Sequence, residues 1–250
     1  MSPSQLENTL LYGDKKLAYR QQPGSQPGVL FLGGFRSDMS GTKAKSLADW
    51  CRATDRAYTR FDYSGHGASS GEFEDGTISR WLGEATAILD QLTTGPQLVV
   101  GSSMGGWIAL LLALVRPRRV HALVTIACAT DFTERLVRPA LTVIQRAQIE
   151  AHGVAYLPSN YDHSPYPITR CLLDDGLQNL LLGQPISIHC AVHMLHGEAD
   201  KDVPWQISQE TLEWIESDDV QLTLIKGGDH RLSKPTELNL IIETLKRLTL

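Results

Sequence analysis

Cysteine is sparse in this 250-residue chain, and its four residues, Cys51, Cys128, Cys171 and Cys190, are scattered with no C-x-x-C pair. That spacing argues against a zinc site and against a dense disulfide framework, and the expectation is reduced, buried thiols. No apolar segment approaches the roughly 20 uninterrupted residues that span a bilayer. Nor is there a cationic run: the charges that sum to -5 are interspersed, which excludes a stripe that could follow a phosphate backbone or a lipid surface. Nucleic acid and membranes are therefore not expected partners. The opening residues, MSPSQLENTLLYGDKK, lack both the basic start and apolar run of a secretory signal and the Arg-rich, acid-poor character of a transit peptide. The expected location is cytoplasmic.

What the chain does have is 42% hydrophobic and 20% charged residues, enough for one large domain over 1–250 with a substantial core. Short apolar runs closed by glycine or a polar turn alternate with longer amphipathic segments, which is how an α/β sheet is written. Strands are expected at Leu10–Tyr12 and Leu17–Arg20 as an opening hairpin, then at Val29–Leu32, Ala57–Asp62, Gln97–Gly101, Val120–Ile126, Val192–Leu195 and Val220–Ile225. Several are apolar at consecutive positions, as strands covered on both faces should be. The reading is a mostly parallel central sheet of about eight strands with helices on both faces. The helices are expected at Gly41–Thr54, Thr77–Thr93, Met104–Val115, Ile207–Ser217 and Pro235–Leu248. The third must stop at Arg116-Pro117, because proline has no amide donor and disfavours helical geometry in the residue before it. Residues 131–188 break this rhythm, with Pro139, Pro158, Pro165 and Pro167 and the aromatics Tyr156, Tyr161 and Tyr166. An excursion this long folds on itself or covers a site; the expectation is a small helical cap over the strand ends.

In an open parallel sheet, ligands bind outside the carboxyl ends of the strands. After Val99-Val100 comes Gly101-Ser102-Ser103-Met104-Gly105, a G-x-S-x-G between a strand and a helix. A chain that leaves a strand and turns at once into a helix pinches its central residue, and glycine two before and two after relieves the crowding. Only Ser103 is flanked by both, so Ser103 is the expected nucleophile and Ser102 a bystander. A serine hydroxyl needs a base, and the base needs a group to hold its tautomer. The run ending at Ile225 is followed by Gly227-Gly228 and His230, a histidine at the end of the last strand. His189, His193 and His196 suggest a metal set, but at strand spacing the first two face one side and His196 the other. His66 lies in a GHG turn; His121, His152 and His163 have no strand-end context. For the acid, HMLHGEADKDVPW offers Glu198, Asp200 and Asp202, and spacing does not rank them. Asp229 adjoins His230, and consecutive side chains diverge. The order Ser, Asp, His is that of α/β-hydrolases. Oxyanion donors are expected from the backbone amides of Met104, after the nucleophile, and Phe35, in the loop after the strand from Val29. Their side chains would line the pocket, with Arg36 and Ser37 nearby. No metal or organic cofactor is implied.

FDYSGHGASSG resembles the Gly-x-Gly-x-Ser turn of α/β-hydrolases, GSSMGGW their nucleophile elbow and LHGEADKDVPW their acid loop. With GTKA at 41–44, LPSNY at 157–161 and DHR at 229–231, the chain from about Gly28 onward is most similar to the abhydrolase-domain palmitoyl-protein thioesterases, also described as acyl-glucuronide esterases, and their bacterial relatives. The resemblance implies the α/β-hydrolase fold, a serine esterase or thioesterase, and Asp200 as the acid, since the family's carboxylate follows HG after two intervening residues. Its mitochondrial location is not carried over. The leading reading is hydrolysis of acyl thioesters or carboxylesters through Ser103, His230 and Asp200 and an acyl-enzyme, the thioester of S-acylated cysteine being what the resemblance implies. Acyl transfer to an alcohol, general carboxylesterase activity on small esters, and a non-catalytic binding protein on the same scaffold are the alternatives.

Overall fold

The structure is a computed structural model and describes residues 8–158 and 165–249; Tyr161, His163 and the end of LPSNY lie outside them. The chain opens with β1 (Asn8–Tyr12), β2 (Lys15–Gln22) and β3 (Ser25–Leu32), then α1 (Thr42–Ala53), β4 (Arg56–Phe61), α2 (Ile78–Leu92), β5 (Gln97–Ser102), α3 (Met104–Val115) and β6 (Val120–Ile126). An excursion follows, with α4 (Arg138–Ala140), α5 (Val143–His152), β7 (Val154–Leu157), β8 (Tyr166–Thr169) and α6 (Arg170–Leu177). It returns through β9 (Ala191–Gly197), α7 (Gln206–Trp214), β10 (Val220–Ile225) and α8 (Pro235–Arg247).

Eight strands form one sheet in the order β1-β2-β4-β3-β5-β6-β9-β10. β1 pairs antiparallel with β2, and β2 with β4; every later pairing, from β4 to β10, is parallel. From β3 the chain runs outward to β4 on one side and then crosses to β5 on the other. The carboxyl ends of β3 and β5 therefore flank a topological switch point, where an open α/β sheet leaves a crevice. Two apolar layers cover the faces: Leu47, Trp50, Ile241 and Leu245 of α1 and α8 on one, and Ile88, Leu89, Trp107, Ile108 and Leu112 of α2 and α3 on the other. Met104 through Ala113 are all buried, because α3 lies between the sheet and α2 and has no solvent face. β10, at the edge, alternates between partly buried and exposed residues along most of its length, as period-two side-chain placement requires.

The excursion carries the helices expected and adds two strands that were not. Its centre is a two-stranded antiparallel ribbon in which Val154–Leu157 pairs with Tyr166–Thr169, and Thr133–Val137 forms a π-helical turn before α4. Gly153, in the left-handed region at φ 77°, ends α5 and aims the chain back as β7. The neck of the excursion is closed by one side chain: the Asp131 carboxylate accepts the N–H groups of Leu181 at 2.9 Å and Leu182 at 2.8 Å. Burial raises the pKa of Asp131, and those two amides work against the rise.

Candidate active site

β5 ends at Ser102 and α3 begins at Met104, so Ser103 alone makes the turn. It does so at φ 56° and ψ -119°, a conformation few residues other than glycine adopt. The close approach is visible at its neighbours: a Cβ on Gly101 would lie 2.2 Å from the Gly105 carbonyl oxygen, and one on Gly105 would lie 2.2 Å from that of Leu32. Both obstacles are backbone. The Ser103 N–H donates to the Ile126 carbonyl at 2.9 Å, which pins the elbow to β6. Ser103 is partly exposed, whereas Ser102 is buried.

The loop after β10 brings His230 to this elbow, with Nε2 3.1 Å from Ser103 Oγ and Nδ1 2.7 Å from Asp200 Oδ2. Asp200 follows β9, and its other oxygen accepts the backbone N–H groups of Asp202 and Val203, each at 2.9 Å. Burial alone would raise the Asp200 pKa, but hydrogen bonds from His196 and His230 and the attraction of His230 hold it well below the usual carboxylate range. His196 is fully buried; its Nε2 faces Asp200 Oδ2 at 3.1 Å and the Val203 carbonyl at 2.9 Å, while Nδ1 meets Ser208 Oγ at 2.7 Å. With two acceptors at Nε2, that nitrogen carries the proton and Nδ1 accepts from the serine hydroxyl. The His230 loop is shaped by Asp229, whose carboxylate accepts the amides of Arg231 and Leu232. Lys43 of α1 holds it from the side, with Nζ donating to the Arg231 carbonyl at 2.5 Å. Asp200, Asp202 and His230 bring ligand atoms within 4.8 Å of one another, but Asp200 and His230 already direct theirs at each other.

Opposite His230 stands the loop after β3. Ser37 Oγ accepts the Gly34 N–H at 2.9 Å, and the Ser37 N–H returns to the Gly34 carbonyl at 3.1 Å, closing a tight turn. A Cβ on Gly34 would lie 3.3 Å from that of Ser103, so the turn passes directly beside the elbow at Ser103. The Phe35 amide belongs to this turn, and the Met104 amide is the first of α3, where no intrahelical acceptor exists. The Phe35 ring packs against Phe73, Trp81, Phe132 and Tyr166 at centroid distances of 4.8, 6.0, 5.6 and 6.2 Å. Met104 does not line an open pocket: its side chain is buried in the core. A groove of about 650 Å³ between α1 and Ile242 includes none of these groups, whereas a cavity of about 210 Å³ lies against Arg36, Ser37, His66 and Phe73, on the loop that carries the Phe35 amide.

Residues 26–170, which include the elbow and both candidate oxyanion amides, match the family described as "Serine aminopeptidase, S33". The chain belongs to this family of serine hydrolases. The mouse palmitoyl-protein thioesterase ABHD10 is 39% identical over 233 residues, covering 93% of this hydrolase and 78% of the relative. A solved structure of the mouse protein superposes with TM-score 0.90 at 37% identity, covering 98% of each chain. A solved chain from Agrobacterium vitis S4 reaches TM-score 0.93 at 41% identity, also over 98% of each. The α/β-hydrolase fold and the resemblance to the thioesterases are thereby borne out. The cytoplasmic location is not: the bovine, mouse and human relatives are all named mitochondrial.

Of the site residues expected in the hydrolase, Ser103, His230 and Asp200 stand in hydrogen-bonded sequence, with the turn of Phe35 and the start of α3 beside them. Asp202 stays beside the acid, its N–H donating to Asp200 Oδ1 at 2.9 Å, Asp229 accepts the amides of its own loop, and His193 meets Asp219 at 3.2 Å. Three residues in contact with these groups escaped sequence reasoning: His196 behind Asp200, Lys43 beside the His230 loop, and His66, whose Nε2 accepts the Arg36 N–H at 3.2 Å. His196 left a trace, as a histidine at a strand end four residues before Asp200, and so did His66, in its GHG turn; Lys43 left none.

Proposed function

We propose that this hydrolase cleaves acyl thioesters or carboxylesters through a covalent acyl-enzyme, with S-acylated cysteine as the substrate class and depalmitoylation as the outcome. The observation that carries the reading is the pair of contacts at His230, 3.1 Å to Ser103 Oγ and 2.7 Å to Asp200. Ser103 Oγ attacks the acyl carbonyl carbon while His230 Nε2 takes its proton, and Asp200 holds Nδ1–H and stabilises the imidazolium. Negative charge gathers on the carbonyl oxygen, opposite the amides of Phe35 and Met104. The C–S or C–O bond then breaks, and the leaving thiolate or alkoxide takes the proton from His230. Water attacks the Ser103 ester with His230 again as base, releasing the acid and restoring the serine. The relatives named palmitoyl-protein thioesterases support the thioester as substrate. Residues 131–188 act as a cap in this reading, because Phe132 and Tyr166 pack onto Phe35 beside the elbow.

The test is a panel of acyl esters and thioesters of graded chain length, assayed beside Ser103→Ala. Turnover should fall about a million-fold in the variant, and near-normal activity there would end the reading. A flat chain-length profile would remove the cap from it.

A further inference from the structure

His66 takes no part in the proton path, yet it is 4% exposed and engaged at both ring nitrogens. Its Nδ1–H donates to the Ser64 carbonyl at 3.1 Å, which leaves the Nε2 lone pair to accept the Arg36 N–H at 3.2 Å. The Ser64 N–H is anchored in turn on Glu84 Oε2 at 2.9 Å, a fully buried carboxylate of α2. The ring stands at steep angles to Tyr63, Phe73 and Trp81, at centroid distances of 5.8, 5.0 and 5.3 Å, so it has little room to swing. Arg36 sits in the left-handed region at φ 55°. A residue other than glycine stays there only when its surroundings over-determine it. On its amide side the determinant is His66; on its side-chain side, Nη1 donates to the Pro165 carbonyl at 3.0 Å. The peptide fixed by His66 is the one that follows the Phe35 amide.

We propose that His66 is a positioning residue for ester cleavage: by accepting the Arg36 N–H it sets the direction of the neighbouring Phe35 N–H toward the oxyanion. The inference rests on the acyl-enzyme reading above. Burial pushes the imidazole down to about 4, so its lone pair is available throughout the neutral range. Glutamine keeps an acceptor at comparable reach, and phenylalanine fills the aromatic surroundings without one.

The experiment compares wild type, His66→Phe and His66→Gln in kcat, KM and affinity for an alkyl trifluoromethyl ketone, whose serine adduct places an oxyanion where the transition state does. Active sites are counted by fluorophosphonate labelling, so misfolded material does not enter the rates. His66→Phe should lose about tenfold or more in kcat, short of the ~100-fold to 1,000-fold cost of removing a donor outright. KM should hold, ketone affinity should fall by the same factor as kcat, and His66→Gln should recover most of both. Wild-type kcat and ketone affinity in His66→Phe would overturn the proposal, as would a loss confined to KM or an equal loss in the two variants. If the wild-type turnover itself survives Ser103→Ala, the acyl-enzyme reading fails instead, whatever the His66 variants do.

Discussion

Replacing His66 with glutamine should remove a pH-linked part of the stability, and its size follows from where the imidazole sits. Burial is the main cause that lowers the pKa from 6.5 to about 4; the Ser64 carbonyl works against it and the Arg36 charge adds to it. Between those two values the unfolded chain binds a proton that the folded chain refuses. Stability therefore rises with pH across that window, is fully present above 6.5, and is lost as the pH falls toward the folded value. At about 1.36 kcal/mol per unit the whole window is worth roughly 3 kcal/mol. Over the upper part of the window, from pH 6.5 to pH 5, the expected change is about 1.5 kcal/mol. Urea unfolding of wild type and His66→Gln at half-unit steps gives the two curves, and their difference cancels every other titrating group. Parallel curves across this range would refute the reasoning, because they would mean that His66 is protonated in the fold without penalty.

Asp200→Asn should lower kcat by about ten-thousand-fold, since the amide no longer fixes the His230 tautomer. The same variant should flatten the acid side of a Tm against pH curve, because a carboxylate held below its unfolded value stabilises above that value and loses its contribution as the pH falls. Gly105→Ala places a methyl 2.2 Å from the Leu32 carbonyl oxygen; the elbow must shift, and a displacement of that kind costs about 100-fold in turnover, read beside Tm. Lys43, held down to about 8 by burial against the pull of Asp229, penalises the fold while charged, so wild-type Tm should rise as the pH climbs from 8 toward 10.5. Lys43→Met should lose that rise, and its kcat should fall as the His230 loop loosens.

Much of this molecule was legible in the chain itself, and the reasons are local. α3 runs over Met104–Val115 as expected, because Gly-rich sequence opens it and Arg116-Pro117 closes it. β6 and β10 match to the residue: polar turns bound β10 at both ends, and β6 begins after the polar run Arg116-Pro117-Arg118-Arg119. The ribbon of β7 and β8 was not legible: each strand has four residues, Pro167 sits inside one, and their pairing depends on partners nine or more residues apart. His196 was placed correctly on a strand face, but period two says nothing of the turn at 198–200 that folds Asp200 back onto it. For His66 the GHG turn was visible and its target was not, because Arg36 is 30 residues away and the bond goes to a backbone group that no side-chain pattern announces.

The positive φ of Ser103 also limits which nucleophiles the scaffold can carry. A β-branched residue is a genuine outlier in that region, so threonine, chemically the nearest substitute for serine, meets a steric penalty in the backbone before its hydroxyl meets His230. Cysteine has no second branch and fits the same turn. Of the alternative nucleophiles, the elbow thus favours the thiol over the second alcohol, and an engineered Ser103→Cys protein keeps the geometry that Ser103→Thr would have to break.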